Sequence, residues 1–326
     1  MPPSRLLKHK GRPRHAPDAQ WRRGIGDVAL GNSLSADIAP IANALILGLS
    51  IASIWLIAAL GLAIIYGAIG VINMAHGEFI MLGAYTSYAL QSFFGLPFLL
   101  CIPAAFIVVA FIGLLLERGL IRYLYKRPLD TLLATWGVSL VLTQLVRLTF
   151  GSDPKYIAVP EMFQSNVQLG FVNLSVLRIF VFALTIVLVA ATAFLFYRTR
   201  FGMQVRAVMQ NKEMAASFGI NADRVYMLTF ALGAGLAGVA GSLLGVLAIV
   251  LPTMGTAYVV QAFLVVVVGG GTILGSVVAS GLTGEFQSVL AYVTNETFAR
   301  FLLYLLIVVL LRFRPAGLFA PAKARR

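Results

Sequence analysis

Three polar side chains stand close together inside an otherwise apolar stretch of this sequence. The stretch reads GVINMAHGE and contains Asn73, His76 and Glu78, with Gly77 between the last two. Ionisable groups are costly to bury in apolar segments and usually face a cavity or a partner. Two interpretations stay open: the three side chains line or shape a polar substrate path, or His76 and Glu78 cap a helix start. A third interpretation is a proton relay through His76, for which Glu285 is the main other buried acid in the sequence.

A second candidate lies in the polar stretch 198–224, between two apolar runs. Asn211 is a favourable N-cap and Gly219 a favourable helix stop, so a two-turn helix is predicted between them. Apolar residues share one side of this helix, and basic residues rim it: Met214, Ala215 and Phe218 on the apolar side, Arg206 and Lys212 on the rim. Such a helix lies on a membrane surface or docks in a groove of another protein, and periodicity alone does not choose.

Motifs for covalent or metal-dependent chemistry are absent from the sequence. There is no Gly-x-x-x-x-Gly-Lys-[Ser/Thr] phosphate loop, no His-Glu-x-x-His and no Gly-x-Ser-x-Gly. The single cysteine, Cys101, lies inside an apolar run, so we expect neither a disulfide nor a cysteine-based metal site. The sequence therefore predicts no catalytic residue, no metal site and no ATP hydrolysis by the phosphate-loop route.

The composition defines the environment in which these residues act. Of the 326 residues, 60% are hydrophobic and only 11% are charged, and the mean hydropathy is +0.90. Soluble domains have about 45–50% apolar and about 25% charged residues, so an ordinary soluble enzyme is excluded, and so is a disordered chain. We expect an all-α integral membrane protein, a multi-pass helical bundle with most of the chain in the bilayer.

The basic residues are not spread evenly along the chain. Most of the 25 lysines and arginines, which give a net charge of +13, fall in four polar segments: 1–23, 118–127, 198–224 and 312–326. This distribution is typical of cytoplasmic loops rather than of a nucleic-acid-binding face. Residues 1–40 are accordingly predicted as a basic cytoplasmic N-terminal tail, and residues 314–326 as a basic cytoplasmic C-terminal tail.

Long apolar stretches predict a transmembrane domain at residues 41–313 with about eight to ten membrane segments. A helix needs about 20 apolar residues to span a bilayer. The runs lie at about 41–70, 79–91, 97–116, 132–150, 173–197, 226–251, 258–293 and 298–312. Two of them are short, and 258–293 is long enough for two passes. A ladder of glycines from Gly233 to Gly245 predicts close contacts between helices.

The number of apolar runs conflicts with a cytoplasmic position for all basic segments. Three apolar runs separate the basic tail from residues 118–127, and three full crossings would place these two basic segments on opposite sides of the membrane. The simplest solution is that residues 68–91 form a broken or re-entrant helix beside a pathway. Glycines also interrupt 258–293, and one interruption in each half is typical of transporter sites. The predicted helix breaks are Gly67, Gly70, Gly269, Gly270, Gly271 and Gly275.

Four motifs follow one another along the chain. They are GVINMAHGEFIMLGAY at 70–85, LLATWGVS at 132–139, RAVMQNKEMAASFGI at 206–220 and RPAGLF at 314–319. Together they resemble the permeases of the branched-chain amino acid ABC importers, and most closely the urea-transport branch of that family. The resemblance covers about residues 42–320. Two features depart from the family pattern: the polar tail of about 40 residues, and Val268 at the first position of the second glycine cluster.

The resemblance implies a non-catalytic permease subunit, multi-pass in the bacterial inner membrane. The implied partners are a second, related permease, two cytoplasmic ABC ATPase subunits that bind ATP and Mg²⁺, and a periplasmic substrate-binding protein, with no cofactor on this chain. Residues 198–224 then resemble a cytoplasmic coupling loop, which favours docking of its helix in a groove. The implied ATPase-coupling residues are Arg206, Asn211, Glu213, Met214, Ala215, Ala216, Phe218 and Gly219.

The substrate is predicted from the polar groups at membrane depth. The residues assigned to the path are Asn73, His76, Gly77, Glu78, Thr135, Gln144 and Gln261. Urea is small, neutral and polar, so hydrogen-bonding groups with few charges suit it, whereas a zwitterionic amino acid requires countercharges or helix ends. Urea is the first prediction, and branched-chain amino acids or short amides are the alternative. A proton-coupled secondary transporter, a passive urea channel and a scaffold that transports nothing are the competing classes.

Overall fold

The computed structural model describes residues 19–70, 72–125, 127–169 and 172–319 of the chain, and most of them are helical. The helices are α1 (Ala19–Ile69), α2 (His76–Phe94), α3 (Phe98–Gly119), α4 (Pro128–Phe150), α5 (Glu161–Gln164), α6 (Val176–Arg198), α7 (Arg200–Gln210), α8 (Lys212–Ser217), α9 (Ala222–Leu247), α10 (Met254–Val268), α11 (Ile273–Val293) and α12 (Glu296–Phe313). A 3-10 turn, Ile121–Tyr123, follows α3, and β1 (Asn166–Leu169) pairs with β2 (Val172–Ser175) in an antiparallel hairpin. The predicted multi-pass helical fold is confirmed.

Six helices in the described part of the chain are long and apolar enough to cross a membrane. They are Ala42–Ile69 of α1, Phe98–Tyr123, Pro128–Phe150, Val176–Arg198, Ala222–Leu247 and Ile273–Val293. The helix α10 is apolar but has only 15 residues. Large apolar side chains on α3, α4 and α12, such as Ile107, Leu148 and Val308, are exposed. Lipid is the natural solvent for such a surface, because a bilayer interior does not penalise exposed aliphatic groups.

Side-chain contacts define two ends of the bundle. At the first, here called the basic end, Asp223 at the start of α9 forms ion pairs with Arg122 (3.5 Å) and with Lys212 of α8 (3.2 Å). At the other, here called the hairpin end, Gln91 near the end of α2 exchanges hydrogen bonds of 2.8 and 3.0 Å with the backbone of Ala158. The α9 helix therefore begins at the basic end, and α2 ends at the hairpin end.

The first crossing runs from the hairpin end to the basic end. The Ser288 hydroxyl, late in α11, donates to the carbonyl of Ala44 (2.5 Å), whereas Gly67 lies against Gly271 at the start of the α10–α11 connection. The chain then returns into the bundle, and α2 begins beside Ala58 and continues to the hairpin end. The prediction that residues 68–91 form a broken or re-entrant helix is confirmed in its first form. The break lies between Ile69, where α1 ends, and His76, where α2 begins, and Gly70 has a φ angle of +75°.

The predicted tail, residues 1–40, only partly falls within the structure. Residues 1–18 lie outside the described residues, and the helix α1 already begins at Ala19. The crossing part of α1, from Ala42, begins at the hairpin end, opposite the ion pairs of Asp223. The assignment of residues 1–40 as a basic cytoplasmic tail stays a prediction.

The helix α9 is the centre of the bundle and packs against α1, α2 and α3. A Cβ added at Gly241 would overlap the carbonyl oxygen of Ile80 in α2, and one added at Gly233 would lie 2.6 Å from the carbonyl oxygen of Gly61 in α1. At Gly238 the nearest atom is the carbonyl oxygen of Ala105 in α3, at 2.7 Å. Small residues permit this backbone approach. The predicted structural role of the glycine ladder is confirmed.

The predicted helix breaks divide into two groups. Gly70, Gly270 and Gly271 have φ angles of +75°, +71° and +69°, which L-residues with a side chain rarely adopt, and they lie in the two interruptions. Gly269 caps α10 with ordinary helical angles. Gly67 lies within α1 and Gly275 within α11, so their assignment as breaks is wrong. They instead allow close contact, since a Cβ on Gly67 would lie 2.8 Å from the Gly271 carbonyl oxygen.

Candidate functional site

The start of α2 is fixed by hydrogen bonds to its own backbone and to α4. The Asn73 side-chain oxygen accepts a hydrogen bond from the backbone of Ala75 (3.0 Å). The backbone N–H of Met74 donates to the hydroxyl of Thr135 in α4 (3.1 Å). Asn73 and Thr135 are both buried. These two residues therefore hold the interrupted backbone against α4, which is a positioning role.

His76 connects the first turn of α2 with α1. Its Nε2 lies 3.0 Å from the carbonyl oxygen of Ala58, and because a carbonyl only accepts, Nε2 carries the proton. The ring is fully buried, and its edge meets the ring of Phe79. Its Nδ1 has no hydrogen-bond partner within the described part of the chain. His76 thus packs between helices, on the side of α2 that faces α1.

Glu78 points the other way, toward the junction of α4 and α10. Its Oε1 accepts a hydrogen bond from the hydroxyl of Ser139 (2.9 Å), and its side chain is 1% exposed. Its Oε2 lies against Gly255 of α10, where an added Cβ would be 2.8 Å away. The preceding Gly77 also packs on Gly255, and a Cβ there would be 2.9 Å from the Cβ of Val259. The absence of a side chain at Gly77 therefore allows the backbones of α2 and α10 to approach closely.

A cavity of about 590 Å³ lies beside this junction and is here called the groove. It is lined by Met74, Trp136, Ser139, Leu140, Thr143, Gln144, Arg147, Thr253, Thr256, Val259 and Val260. The α4 residues follow a spacing of three and four, which places them on one face of that helix. The lining contains hydroxyls, an amide, one guanidinium and aliphatic side chains, and none of its residues is acidic.

The predicted path residues stand at different distances from the groove. Gln144 lines it, Glu78 is bonded to its Ser139, and Asn73 and Thr135 hold the backbone on either side of its Met74. His76 and Gln261 are not among the lining residues. The side-chain oxygen of Gln261 is buried in α10 and lacks a partner in the region the structure describes.

Sequence reasoning missed several groove residues on α4. Ser139, Thr143 and Arg147 lie at four-residue intervals, on one face of a helix. The four-residue spacing of these polar residues in an apolar run predicts that they share one helix face. The sequence prediction includes only Thr135 and Gln144 from this helix, as single polar residues at membrane depth.

The polar stretch 198–224 forms the predicted short helix. The Asn211 side chain accepts a hydrogen bond from the backbone of Met214 (2.9 Å), and Gly219 ends the turn with φ +80°. Met214 and Phe218 are 59% and 79% exposed, and Glu213 and Ala216 are also exposed. The exposed apolar surface formed by Met214 and Phe218 is here called the α8 face.

Two residues assigned to coupling have a different environment from the one predicted. Ala215 is only 4% exposed and packs with Val205 and Val225 in a cluster beneath α8, so it does not belong to the apolar surface predicted there. Two-turn periodicity groups Met214, Ala215 and Phe218 but does not say which of them the bundle covers. Arg206 donates to the carbonyl of Phe196 at the end of α6. It therefore joins α7 to α6.

Charged and phenolic groups join α8, α9 and α3 at the basic end. Besides the two ion pairs of Asp223, the hydroxyl of Tyr125 donates to Oε1 of Glu117, which is buried. Burial raises the pKa of Tyr125 far above its ordinary value, and the hydrogen bond to Glu117 raises this pKa further. Tyr125 is therefore a neutral donor throughout the physiological range. Sequence analysis did not single out this set.

No group of three or more histidine, cysteine, aspartate or glutamate side chains that could hold a metal ion occurs among the residues whose positions are described. The features that remain are the groove, the α8 face and the charged set around Asp223. The groove lies toward the hairpin end, at the junction of α4 and α10, and the other two features lie at the basic end.

Comparisons with known proteins agree with this architecture. BraD, a high-affinity branched-chain amino acid transport system permease protein of Pseudomonas aeruginosa, is 30% identical over 290 residues, which are 84% of this chain and 94% of BraD. LivH of Escherichia coli is 28% identical over 288 residues, 83% of this chain and 92% of LivH. LivM of Salmonella typhimurium is 27% identical over 297 residues, 81% of this chain and 67% of LivM. No solved structure matches the chain.

These relatives support the broader resemblance seen in the motifs. Their names specify branched-chain amino acids and not urea, so the urea-transport branch is not supported by them. The family model described as branched-chain amino acid transport system, permease component, matches residues 44–311. This chain is therefore a multi-pass membrane permease component, not an enzyme, and belongs to the branched-chain amino acid ABC transport permease family.

Proposed function

We propose that this chain is one of two membrane subunits of an ABC importer for branched-chain amino acids, and that the groove forms its wall of the translocation path. The observation that carries the proposal is the lining of the groove. It combines Arg147, a row of hydroxyls and the aliphatic side chains of Leu140, Val259 and Val260. This combination suits a solute that has both a charged and an aliphatic part.

The lining favours an amino acid over urea. A guanidinium binds a carboxylate with paired, charge-assisted hydrogen bonds, and urea has no carboxylate. The aliphatic lining offers contact to a branched side chain, and urea has none. The amide of Gln144 and the hydroxyls suit either solute, so the prediction of urea rests on the part of the lining that does not discriminate. The names of the relatives point the same way as Arg147.

The open side of the groove supports a second permease as partner. Trp136 and Leu140 are 55% and 57% exposed, and Val260 is also exposed. A polar path in a bilayer must be screened from lipid, because unpaired polar groups are expensive there. A second, related permease that faces α4 and α10 would supply this screen. Similarity of the chain to both LivH and LivM is consistent with paired permeases of one family.

The α8 face supports coupling to ATPase subunits. Met214 and Phe218 project from a short helix at the basic end, and amphipathic helices commonly dock by such residues in grooves. Two ABC ATPase subunits would bind ATP and Mg²⁺, and this chain would bind neither. A periplasmic substrate-binding protein would deliver the amino acid at the hairpin end, where Arg147 lies in the last turn of α4.

Orientation follows from the basic end. Excess lysine and arginine in short loops marks the cytoplasmic side of a membrane protein. We therefore assign the basic end, with α7, α8 and the C-terminal tail 314–326, to the cytoplasm of the bacterial inner membrane. The hairpin end and the start of the crossing near Ala42 are assigned to the periplasm.

ATP-dependent uptake of labelled leucine and labelled urea into vesicles tests this function. The vesicles carry this chain with its cognate permease, ATPases and binding protein. The proposal predicts leucine accumulation that requires ATP and is not competed by urea. Accumulation of urea without leucine would instead establish a urea importer. Uptake that persists without the ATPases would exclude the ABC mechanism in favour of a secondary transporter or a channel.

A further inference from the structure

Glu78 is a buried ionisable side chain at membrane depth, and it forms no ion pair among the described residues. One carboxyl oxygen accepts from Ser139, and the other has no hydrogen-bond partner among residues 19–70, 72–125, 127–169 and 172–319. None of the salt bridges within these residues includes Glu78. A buried carboxylate is stable only when it is paired or well hydrogen-bonded. The free oxygen is therefore a place where a donor or a cation is accommodated.

Glu78 lies directly behind the wall of the groove, at the junction of α4 and α10. Ser139, which donates to Oε1 of Glu78, and Thr256 both line the cavity. Next to Thr256, Gly255 has no side chain, and Oε2 of Glu78 occupies the space that a Cβ would fill. The Ser139 hydroxyl therefore separates the carboxyl group from the groove, and rotation of this hydroxyl would open Oε1 to a solute.

We propose that Glu78 is the residue of the groove that recognises a cation, and that it receives the ammonium group of a zwitterionic substrate. This proposal rests on the proposed function, and it adds the group that selects the amine. Arg147, nearer the hairpin end, receives the carboxylate. Eight residues of α4 separate Arg147 from Ser139, which corresponds to about 12 Å along the helix. The two charges are therefore successive contacts along the path, since one amino acid does not span them.

A purely structural role explains Glu78 less completely. The hydrogen bond from Ser139 uses only one oxygen, and a glutamine would satisfy the same hydroxyl while its amide group occupied the position of the second oxygen. The first turn of α2 also favours a carboxylate at Glu78, but this position leaves Oε2 without a donor in the part of the chain that the structure describes. An acidic residue is costly at this depth, and a cationic group in the groove would offset that cost. Neutral urea would not supply such a group, and an α-amino acid would.

Ligand binding to the purified permease pair in lipid nanodiscs tests this role, with the fluorescence of Trp136 as the signal. The probes are leucine, isoamylamine, which lacks the carboxylate, and isocaproate, which lacks the amine. Glu78→Gln is expected to weaken isoamylamine binding at least about tenfold, the effect of losing one charge-assisted hydrogen bond, and to leave isocaproate unchanged. Arg147→Gln is expected to give the reverse pattern.

Matched variants separate recognition from folding. Glu285→Gln makes the same exchange at a membrane-depth glutamate on α11, which lies against Gly48 outside the groove, and should change neither affinity. Equal losses of both probes in Glu78→Gln, or an equal loss of isoamylamine binding in Glu285→Gln, would overturn the role of Glu78.

Parallel uptake measurements distinguish this proposal from the proposed function. Leucine uptake by the wild-type importer decides the function, and the pattern of variants against probes decides the role of Glu78. If isoamylamine binding depends on Glu78 but leucine does not accumulate, the role of Glu78 is supported and the proposed substrate is rejected. If leucine accumulates but Glu78→Gln leaves isoamylamine binding unaltered, the proposed substrate is supported and the role of Glu78 is rejected.

Discussion

Phe218→Ala removes the largest exposed apolar side chain at the end of α8 and should weaken binding of the ATPase. Phe218 is 79% exposed in the free permease, and Met214, beside it, is 59% exposed. If these residues insert into a groove of the ATPase, the exposed part of each is buried on docking. Neither residue packs in the bundle to a comparable extent, so their removal should leave the permease folded.

The size of the effect follows from the area that docking covers. Complete burial of a side chain such as phenylalanine or methionine is worth about 1.5–3 kcal/mol. Scaled by their exposed fractions, Phe218 would contribute about 2 kcal/mol and Met214 about 1.5 kcal/mol. Phe218→Ala should then weaken the complex about 30-fold, and the double substitution with Met214→Ala about tenfold further.

Affinity between the solubilised permease pair and its ATPase is the measurement, with thermal unfolding of the permease as a check of folding. The matched control is Phe301→Ala, which removes an aromatic side chain that is 59% exposed on α12, far from α8 in the sequence. Ala215→Glu is unsuitable, because Ala215 is buried and a charge there would disrupt the cluster beneath α8. Unchanged ATPase affinity in the double variant, with normal unfolding, would refute docking through the α8 face.

Three further predictions concern packing and topology. Gly241→Leu should prevent stable packing of α9 on α2 and lower the thermal unfolding temperature strongly, whereas Gly281→Ala, where nothing lies within 4 Å, should be neutral or stabilising. Tyr125→Phe should cost about 1–3 kcal/mol in unfolding free energy, because it leaves a buried carboxylate oxygen without its donor. An impermeant maleimide should label Asn43→Cys in intact spheroplasts and Arg314→Cys only after permeabilisation, and the reverse pattern would invert the assigned orientation.

Local sequence signals predicted the interruptions of the helices well. Gly70, Gly270 and Gly271 adopt positive φ angles, and Asn211 caps α8. These features depend on the residue itself and its nearest neighbours, so the sequence contains them. Gly67 could not be assigned in this way, because its function is to admit the backbone of Gly271, which is distant in sequence.

The glycines and polar residues of 68–91 predicted a broken or re-entrant helix, and the break is present between Ile69 and His76. Its depth was not predictable from the segment itself. In the structure α2 starts beside Ala58 of α1 rather than at the end of the bundle, and it then continues to the hairpin end. The contacts of α2 with α1 and α9 define this position, because α2 folds back onto α1 and α9 is distant from the break in the sequence.

The substrate prediction turned on one arginine. In sequence, Arg147 stands in the last turn of a membrane helix, where a basic side chain ordinarily reaches toward the membrane surface. The residues predicted for the path do not include Arg147, and the amides and hydroxyls among them favour a neutral solute. The structure puts Arg147 in the same cavity as Ser139, which holds the carboxylate of Glu78. The groove therefore has a positive group toward one end and a carboxyl group behind its wall, which an amino acid would contact in succession and which neutral urea would not require.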